Sequence, residues 1–224
     1  MATWMVHLRI ADRLIDYICG LSRTEFVVGN IAPDSGIPNE DWSVFSPSAD
    51  ISHFKTTDTD GFKNIHLNEY VDKYYSVELR KQYDTRQKSF YLGYLTHLLA
   101  DKMWADSIVR PSKDRFIELF KKNKEEWIWT LKKDWYDLDF LYIKSNPNFR
   151  AFSIYNNANG FDNKYLSFFT KDAFDIRRNY ITGFYNEKRD NLEREYPYLS
   201  EEEMDFFVDE SAEKIAHIIK QEYS

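Results

Sequence analysis

The amino-acid sequence predicts an all-α fold, a single-domain multi-helix bundle over residues 1–224. Gly and Pro contribute only 7 and 6 of the 224 residues, which is too few for the many turns of an all-β architecture. Hydrophobic residues make up 43% of the chain and aromatic residues 17%, enough to build a buried core. No internal repeat and no low-complexity linker divides the sequence, so one helical domain is the simplest interpretation.

Apolar residues recur at helical spacing from the start of the chain. Residues 3–19 carry an apolar stripe that stops at Gly20, a residue typical of helix C-termini. A second apolar element covers residues 24–34 and ends around Pro33. The polar segment 35–62 is predicted as the longest loop, and long loops on compact domains are often functional.

The middle of the chain predicts further helices. Residues 66–83 form a helix with a charged outer face, and residues 87–105 form the most apolar helix of the chain. Pro111 then opens a helix over residues 112–122. In the Trp-rich stretch that follows, aromatic residues at helical spacing indicate a contribution to the core.

The C-terminal third predicts one loop and two helices. Residues 145–165, which are rich in Asn, are predicted as a loop, and residues 169–188 as a helix. Ser200 and Glu203 have the spacing of a capping box. This pair predicts a final helix over residues 201–222.

Charge and cysteine content narrow the possible partners. The formal net charge is -7 and the pI is near 5.3, which argues against docking to a nucleic-acid backbone or to an anionic membrane surface. The one cysteine, Cys19, excludes an intrachain disulfide and is predicted to be a buried thiol. The N-terminus lacks a basic leader, and no apolar run reaches the roughly 18 residues of a membrane span. These features predict a soluble, cytoplasmic protein of bacterial type.

A histidine and an aspartate occupy one face of the apolar helix "FYLGYLTHLLAD". His97 and Asp101 are four residues apart, so an imidazole nitrogen and a carboxylate oxygen can converge on one cation. An internal hydrogen bond between the two side chains is the alternative. His7 also lies in an apolar helix, where a lone histidine is more often an ordinary core residue.

Two further residues could be ligands or merely structural. Asp34 follows Pro33 at the end of an apolar element, so it either caps a turn or offers a carboxylate at the mouth of a site. His53 lies in the predicted long loop and is uninformative alone. Four aromatic residues near these positions are candidates for a substrate-pocket wall: Trp4, Trp42, Phe54 and Trp104.

In chain order, the stretches "WMVHLRIA", "VVGNIAPD", "SHF" and "FYLGYLTHLLAD" resemble the zinc-dependent phospholipase C family. Gly93, His97 and Asp101 match the family's Gly-x3-His-x3-Asp helix position by position. The resemblance covers roughly residues 1–105. It implies an all-helical fold of the phospholipase C and nuclease type, with metal ions bound between core helices.

The resemblance also implies a ligand set. Asp34, His53, His97 and Asp101 would hold zinc or another divalent transition metal, and His7 would share Asp101 and help to hold a second ion. The implied activity is hydrolysis of a phosphate ester, such as a phosphodiester in a phospholipid-like substrate. A metal-bound water would be the nucleophile, with Asp34 as the base.

Some of the family's ligands are missing from this chain. Ala105 stands where the family places its next histidine, and His217 is followed four residues later by Gln221 rather than by Glu. The sequence therefore predicts one zinc ion, or two, but not three. The alternative is a non-catalytic descendant that binds a metal or a protein partner. His66, in "NIHLNEY", competes with His53 as a ligand, and the context "SHF" favours His53.

Overall fold

Helices dominate the computed structural model of this protein, which describes residues 1–59 and 62–223. Within these ranges the α-helices are α1 Trp4–Tyr17, α2 Arg23–Ile31, α3 Ala49–Ser52, α4 Leu67–Tyr70, α5 Val77–Gln82, α6 Thr85–Trp104, α7 Arg110–Arg115, α8 Ile117–Lys122, α9 Lys124–Ser145, α10 Arg150–Asn156, α11 Ala173–Tyr185 and α12 Glu201–Glu222. Helix accounts for 66% of the structure, so the predicted all-α class is confirmed. Among the described helices, none combines the length and apolar composition that a membrane-spanning segment requires.

Buried hydrophobic side chains from nearly every long helix form one connected cluster. The residues with almost no exposure include Met5 of α1, Phe26 of α2, Leu95 of α6 and Trp135 of α9. One shared core supports the prediction of a single domain over residues 1–224, which stays a prediction.

Helices α2 and α6 cross at very short range through two glycines. A Cβ atom added to Gly93 would lie 2.1 Å from the backbone oxygen of Phe26, and one added to Gly29 would lie 2.2 Å from that of Phe90. Any side chain at either position would therefore collide with backbone rather than with a movable side chain. The absence of a side chain at Gly93 and Gly29 is therefore what permits this close approach of α2 and α6.

The segment 35–62 was predicted as a loop, and the structure corrects this. It contains α3 and parts of two small antiparallel hairpins. Strands β1 (Ile37–Pro38) and β2 (Phe45–Ser46) form one hairpin, and β3 (Lys55–Thr57) and β4 (Lys63–Ile65) form the other. Residues 60 and 61 of the predicted loop lie outside the described residues.

The prediction of a loop over residues 145–165 was wrong because α10 lies within it. The carboxylate of Asp12, on α1, accepts a hydrogen bond from the backbone N–H of Ala151 at 2.9 Å, and Arg150 pairs with the same carboxylate at 3.1 Å. This cap comes from a residue more than 130 positions away, so local sequence gives no signal for it.

Two local predictions also need correction. Residues 66–83 form α4, a π-helical segment Val71–Tyr75 and α5 rather than one helix, and the Ser76 hydroxyl caps α5 by accepting from the backbone of Leu79 at 3.3 Å. Cys19 is exposed rather than buried, because α1 ends at Tyr17 and leaves the thiol in the following turn.

Candidate metal centre

Five side chains that the sequence analysis selected meet in one place, between α1, α2, α6 and the end of α3. This five-residue cluster consists of His7, Asp34, His53, His97 and Asp101. Four of its members are buried, whereas the Asp34 side chain is 10% exposed. The cluster therefore opens to solvent at Asp34, and we call this opening the cluster mouth.

Helix α6 supplies the centre of the cluster. The i,i+4 spacing of His97 and Asp101 places Nε2 of the histidine 3.5 Å from Oδ2 of the aspartate. The ring of His7, on α1, stacks on the ring of His97 at 3.7 Å, and its Nε2 lies 3.4 Å from Oδ1 of Asp101. His53 reaches the same aspartate, with its Nε2 3.6 Å from Oδ2.

Hydrogen bonds outside the cluster fix the tautomers of two histidines. Nδ1 of His97 donates to the backbone oxygen of Asn30 at 2.7 Å, and Nδ1 of His53 donates to that of Ala49 at 3.1 Å. When both rings are neutral, each Nε2 therefore presents a lone pair to the cluster, and the two Nε2 atoms are only 3.2 Å apart. Two lone pairs at this distance repel each other, so the arrangement requires a proton or a cation between them.

Buried atoms without hydrogen-bond partners favour a metal cation over a proton between these two histidines. Nε2 of His7 and Oδ2 of Asp101 are buried and have no hydrogen-bond partner in the described structure. Such groups each cost roughly 1–3 kcal/mol unless something satisfies them. The donor atoms of His7, His97 and Asp101 lie within 4.8 Å of one another, as do those of Asp34, His53 and His97. Imidazole nitrogens and carboxylate oxygens are zinc ligands, so the residues present fit this ion.

The protonation states also suit metal binding. Burial lowers the pKa of His7 to about 4 and lowers the pKa of His53. Burial would raise the pKa of Asp34, but the neighbouring imidazoles of His53 and His97 together lower it more and hold the pKa below its usual range. Neutral imidazoles and ionised carboxylates are the forms that ligate metals. His97 differs: burial lowers its pKa, but Asp101, Asp34 and the Asn30 carbonyl together raise it more, so a metal would compete with a proton there.

The structure separates the pocket-wall candidates into two pairs. Trp4 and Trp42 both contact the ring of Tyr180, with centroid distances of 5.9 and 4.9 Å. Phe54 instead packs against core tyrosines, including Tyr70 at 5.4 Å. Trp104 is fully buried, so its indole belongs to the core and the expected pocket-wall role does not suit it.

The remaining histidines lie outside the cluster. Nε2 of His66 is 2.9 Å from the hydroxyl of Thr56, and His217 is exposed on α12. His66 is therefore not a cluster residue, and His53 takes the place for which the two histidines were competing candidates. Three cationic residues, Lys55, Lys132 and Arg177, also interact electrostatically with Asp34, and no motif or spacing in the sequence connects them.

A buried carboxylate on α9 anchors the start of α1. Oδ1 of Asp139 accepts from the hydroxyl of Thr3 at 2.8 Å, and Oδ2 accepts from the hydroxyl of Tyr185 at 2.7 Å. Thr3 is also the N-cap of α1, where its hydroxyl accepts from the backbone of Val6 at 3.3 Å. Asp139 therefore helps to fix the helix that carries His7.

This anchor is expected to make stability depend on pH. Burial raises the pKa of Asp139 to about 7, above the value of about 3.9 in an unfolded chain. The folded state thus binds a proton that the unfolded state lacks, and its free energy of unfolding falls as pH rises from 4 to 7. In Asp139→Asn, the amide imitates the neutral carboxyl group. Urea unfolding measures the free energy of unfolding at each pH. Between pH 5 and pH 8, this free energy should fall by about 2 to 3 kcal/mol more in the wild type than in the variant. Equal losses would contradict this role.

Zinc binding is expected to raise the melting temperature. An ion that joins the turn after α2, the end of α3 and α6 binds only the folded chain, and at a hundredfold excess over its Kd it adds about 2.7 kcal/mol. For a protein of this size, the corresponding rise in Tm is roughly 5 to 10 °C over EDTA-treated protein. Magnesium, which prefers oxygen ligands, serves as the control and should give no such shift. Identical melting curves with zinc and with EDTA would argue against an ion that joins these helices.

Comparison with known proteins supports the zinc assignment. Residues 6–104 match the model of the family described as zinc dependent phospholipase C. The matched segment contains all five residues of the cluster and coincides closely with the resemblance seen over residues 1–105, so the resemblance is confirmed for that segment. No curated protein and no solved structure matches the chain.

Proposed function

We propose that this protein is a zinc-dependent hydrolase of phosphate esters that acts on a phosphodiester. The observation that carries the proposal is the pair of Nε2 atoms of His53 and His97, held 3.2 Å apart by hydrogen bonds to backbone carbonyls. The family match to residues 6–104 supports both zinc dependence and phospholipid as the general substrate class. A zinc ion in this place would supply Lewis-acid charge to the phosphate group.

The chain's own residues define further roles. His53 and Asp34 form one side of the cluster, with Nε2 3.3 Å from Oδ1. Asp34 is ionised and is the cluster member that reaches solvent, so we assign it the proton from the attacking water. Asp101 also accepts a hydrogen bond from the backbone N–H of Ala2 at 2.7 Å, which holds its carboxylate in place.

The geometry favours one zinc ion over two. Both groups of three ligands use His97, and Nδ1 of that ring is already engaged with Asn30. A single Nε2 cannot serve two ions, so a second ion would retain only His7 and Asp101 from its group. We therefore propose one ion held mainly by Asp34, His53, His97 and Asp101.

Bis(p-nitrophenyl) phosphate provides the direct test. Purified protein should contain about one zinc per chain by elemental analysis, and it should release p-nitrophenolate at a rate that EDTA abolishes and added zinc restores. Hydrolysis that persists after complete removal of metal would contradict the proposal.

Ala105 favours a second candidate, a non-catalytic metal-binding protein. This residue stands at the start of the π-helical segment Ala105–Val109, where the family places a further histidine. The chain therefore offers fewer ligands than its relatives. Stoichiometric zinc without hydrolysis of any phosphodiester would support this candidate over the enzyme.

A further inference from the structure

Three cationic side chains interact electrostatically with Asp34, at the cluster mouth. They come from three separate elements: Lys55 from β3, Lys132 from α9 and Arg177 from α11. Lys55 and Arg177 are 7% and 5% exposed, and Lys132 is half-buried. Burying a charge is costly unless an opposite charge compensates it. The three positive charges therefore need negative charges close by.

Arg177 is fixed beside Asp34. Its guanidinium donates to the backbone oxygen of Gly36, two residues after that aspartate. It also lies 5.5 Å from the ring centroid of Tyr180 and 5.9 Å from that of Trp4. Arg177 therefore already occupies the aromatic surface that could otherwise receive a ligand's quaternary ammonium group.

Lys132, on α9, is the second of these cations. Tyr136 follows it by one helical turn on the same face and packs against Phe184 at 5.8 Å. Phe184 in turn contacts Trp4 at 5.9 Å. The Lys132 ammonium lies 4.6 Å from the ring of Trp129 and interacts electrostatically with Asp34.

Lys55, on β3, is the third cation. It follows His53 by two residues, and its Nζ donates to the sulfur of Met1 at 3.1 Å, a weak acceptor. Its electrostatic partners include Asp101, Asp34 and the exposed Asp50.

The carboxylates that balance these cations are thus mainly the proposed zinc ligands. Asp34 interacts with all three cations and Asp101 interacts with Lys55. A divalent ion would cancel the two negative charges of Asp34 and Asp101. With the ion bound, the cations at the mouth would lose most of this compensation, and an anionic ligand would restore the balance.

We propose that Lys55, Lys132 and Arg177 make this site selective for phosphate esters with a net negative charge over esters that carry a cationic headgroup. This inference rests on the proposed function. A trimethylammonium group beside the phosphate would be repelled by the three cations, and Arg177 already covers the rings of Trp4 and Tyr180.

Lys132→Met tests the proposal, because this side chain is half-buried and the change keeps its length. The zinc-loaded variant should hydrolyse the anionic bis(p-nitrophenyl) phosphate with a kcat/KM about tenfold lower than wild type. Hydrolysis of the zwitterionic p-nitrophenyl phosphorylcholine should fall less than about threefold, since attraction to its phosphate is offset by repulsion of its ammonium. Lys132→Arg should restore the wild-type ratio of the two activities.

Lys133→Met is the matched control. Lys133 is the exposed neighbour of Lys132 on α9. Its replacement by Met removes the same formal charge and should leave both activities within about twofold of wild type. Equal losses on both esters in Lys132→Met, or the same selectivity change in Lys133→Met, would overturn the proposal.

A binding measurement separates this proposal from the proposed function. Inorganic phosphate is titrated into zinc-loaded protein by calorimetry, and Lys132→Met should bind it about tenfold more weakly than wild type or Lys133→Met. If the wild type hydrolyses no ester, the proposed function fails. The phosphate titration then still tests whether Lys55, Lys132 and Arg177 form an anion-binding site. Equal phosphate affinity in all three proteins would then overturn it.

Discussion

Replacing His97 by alanine is expected to lower kcat/KM for bis(p-nitrophenyl) phosphate about a hundredfold or more and to remove the bound zinc. His97 is the residue that both candidate ligand groups share, so its loss reduces each group to two members. Residues that only orient metal ligands already contribute about 10- to 100-fold to affinity or activity, and removal of a ligand itself should exceed that range. Elemental analysis and the chromogenic assay measure the two effects separately.

His66→Ala is the control for this prediction. His66 lies within the same family-matched segment but contacts Thr56 outside the cluster, so its loss should leave zinc content and activity within about twofold. Circular dichroism of the His97 variant should show a helical spectrum like that of the wild type, as expected of a folded protein. A folded His97→Ala protein with full zinc content would show that the cluster is an ordinary hydrogen-bonded core feature.

Gly93→Ala is expected to lower the free energy of unfolding by about 2 to 3 kcal/mol or more. The new Cβ atom would lie 2.1 Å from the backbone oxygen of Phe26 and 2.9 Å from the backbone nitrogen of Asn30. Neither atom can move without separating α2 from α6. That separation would also pull the Asn30 carbonyl away from Nδ1 of His97, so zinc affinity should fall by about tenfold as well.

Gly183→Ala provides the matched comparison. Gly183 lies within α11, and a Cβ atom there would meet no atom within 4 Å. Alanine has the higher helix propensity, so this variant should be about 0.5 to 1 kcal/mol more stable than wild type. Denaturant unfolding measures the free energy of unfolding of both variants. A Gly93→Ala protein as stable as wild type would mean that α2 and α6 are not in the close contact described.

Spacing along single helices was sufficient to predict part of this molecule. The apolar helix around His97 was expected over residues 87–105 and spans Thr85–Trp104. The capping box of Ser200 and Glu203 placed the last helix correctly at Glu201–Glu222. In both cases the signal lies within a few turns of one helix, where side-chain periodicity and caps act locally.

Predictions failed where the stabilising contact comes from a distant part of the chain. The first turn of α10 donates a backbone hydrogen bond to the carboxylate of Asp12, on α1. Trp104 packs in the core against the rings of Trp135 and Phe207. Neither relationship leaves a periodic pattern in the sequence. Cys19 is exposed because its helix stops two residues earlier, an offset that pattern-based boundaries commonly miss.

The sequence by itself determined the fold class, the residues of the cluster and the family that they resemble, because those depend on residue type and local order. Only the tertiary structure decided how the cluster is arranged. Backbone carbonyls of Asn30 and Ala49 direct two imidazoles at each other, and Gly93 brings α2 close enough to α6 for one of those bonds. The cations at the mouth come from residues 55, 132 and 177, and folding is what brings such distant positions together. Charge balance at a site depends on distances in space, and those distances exist only after the helices have packed.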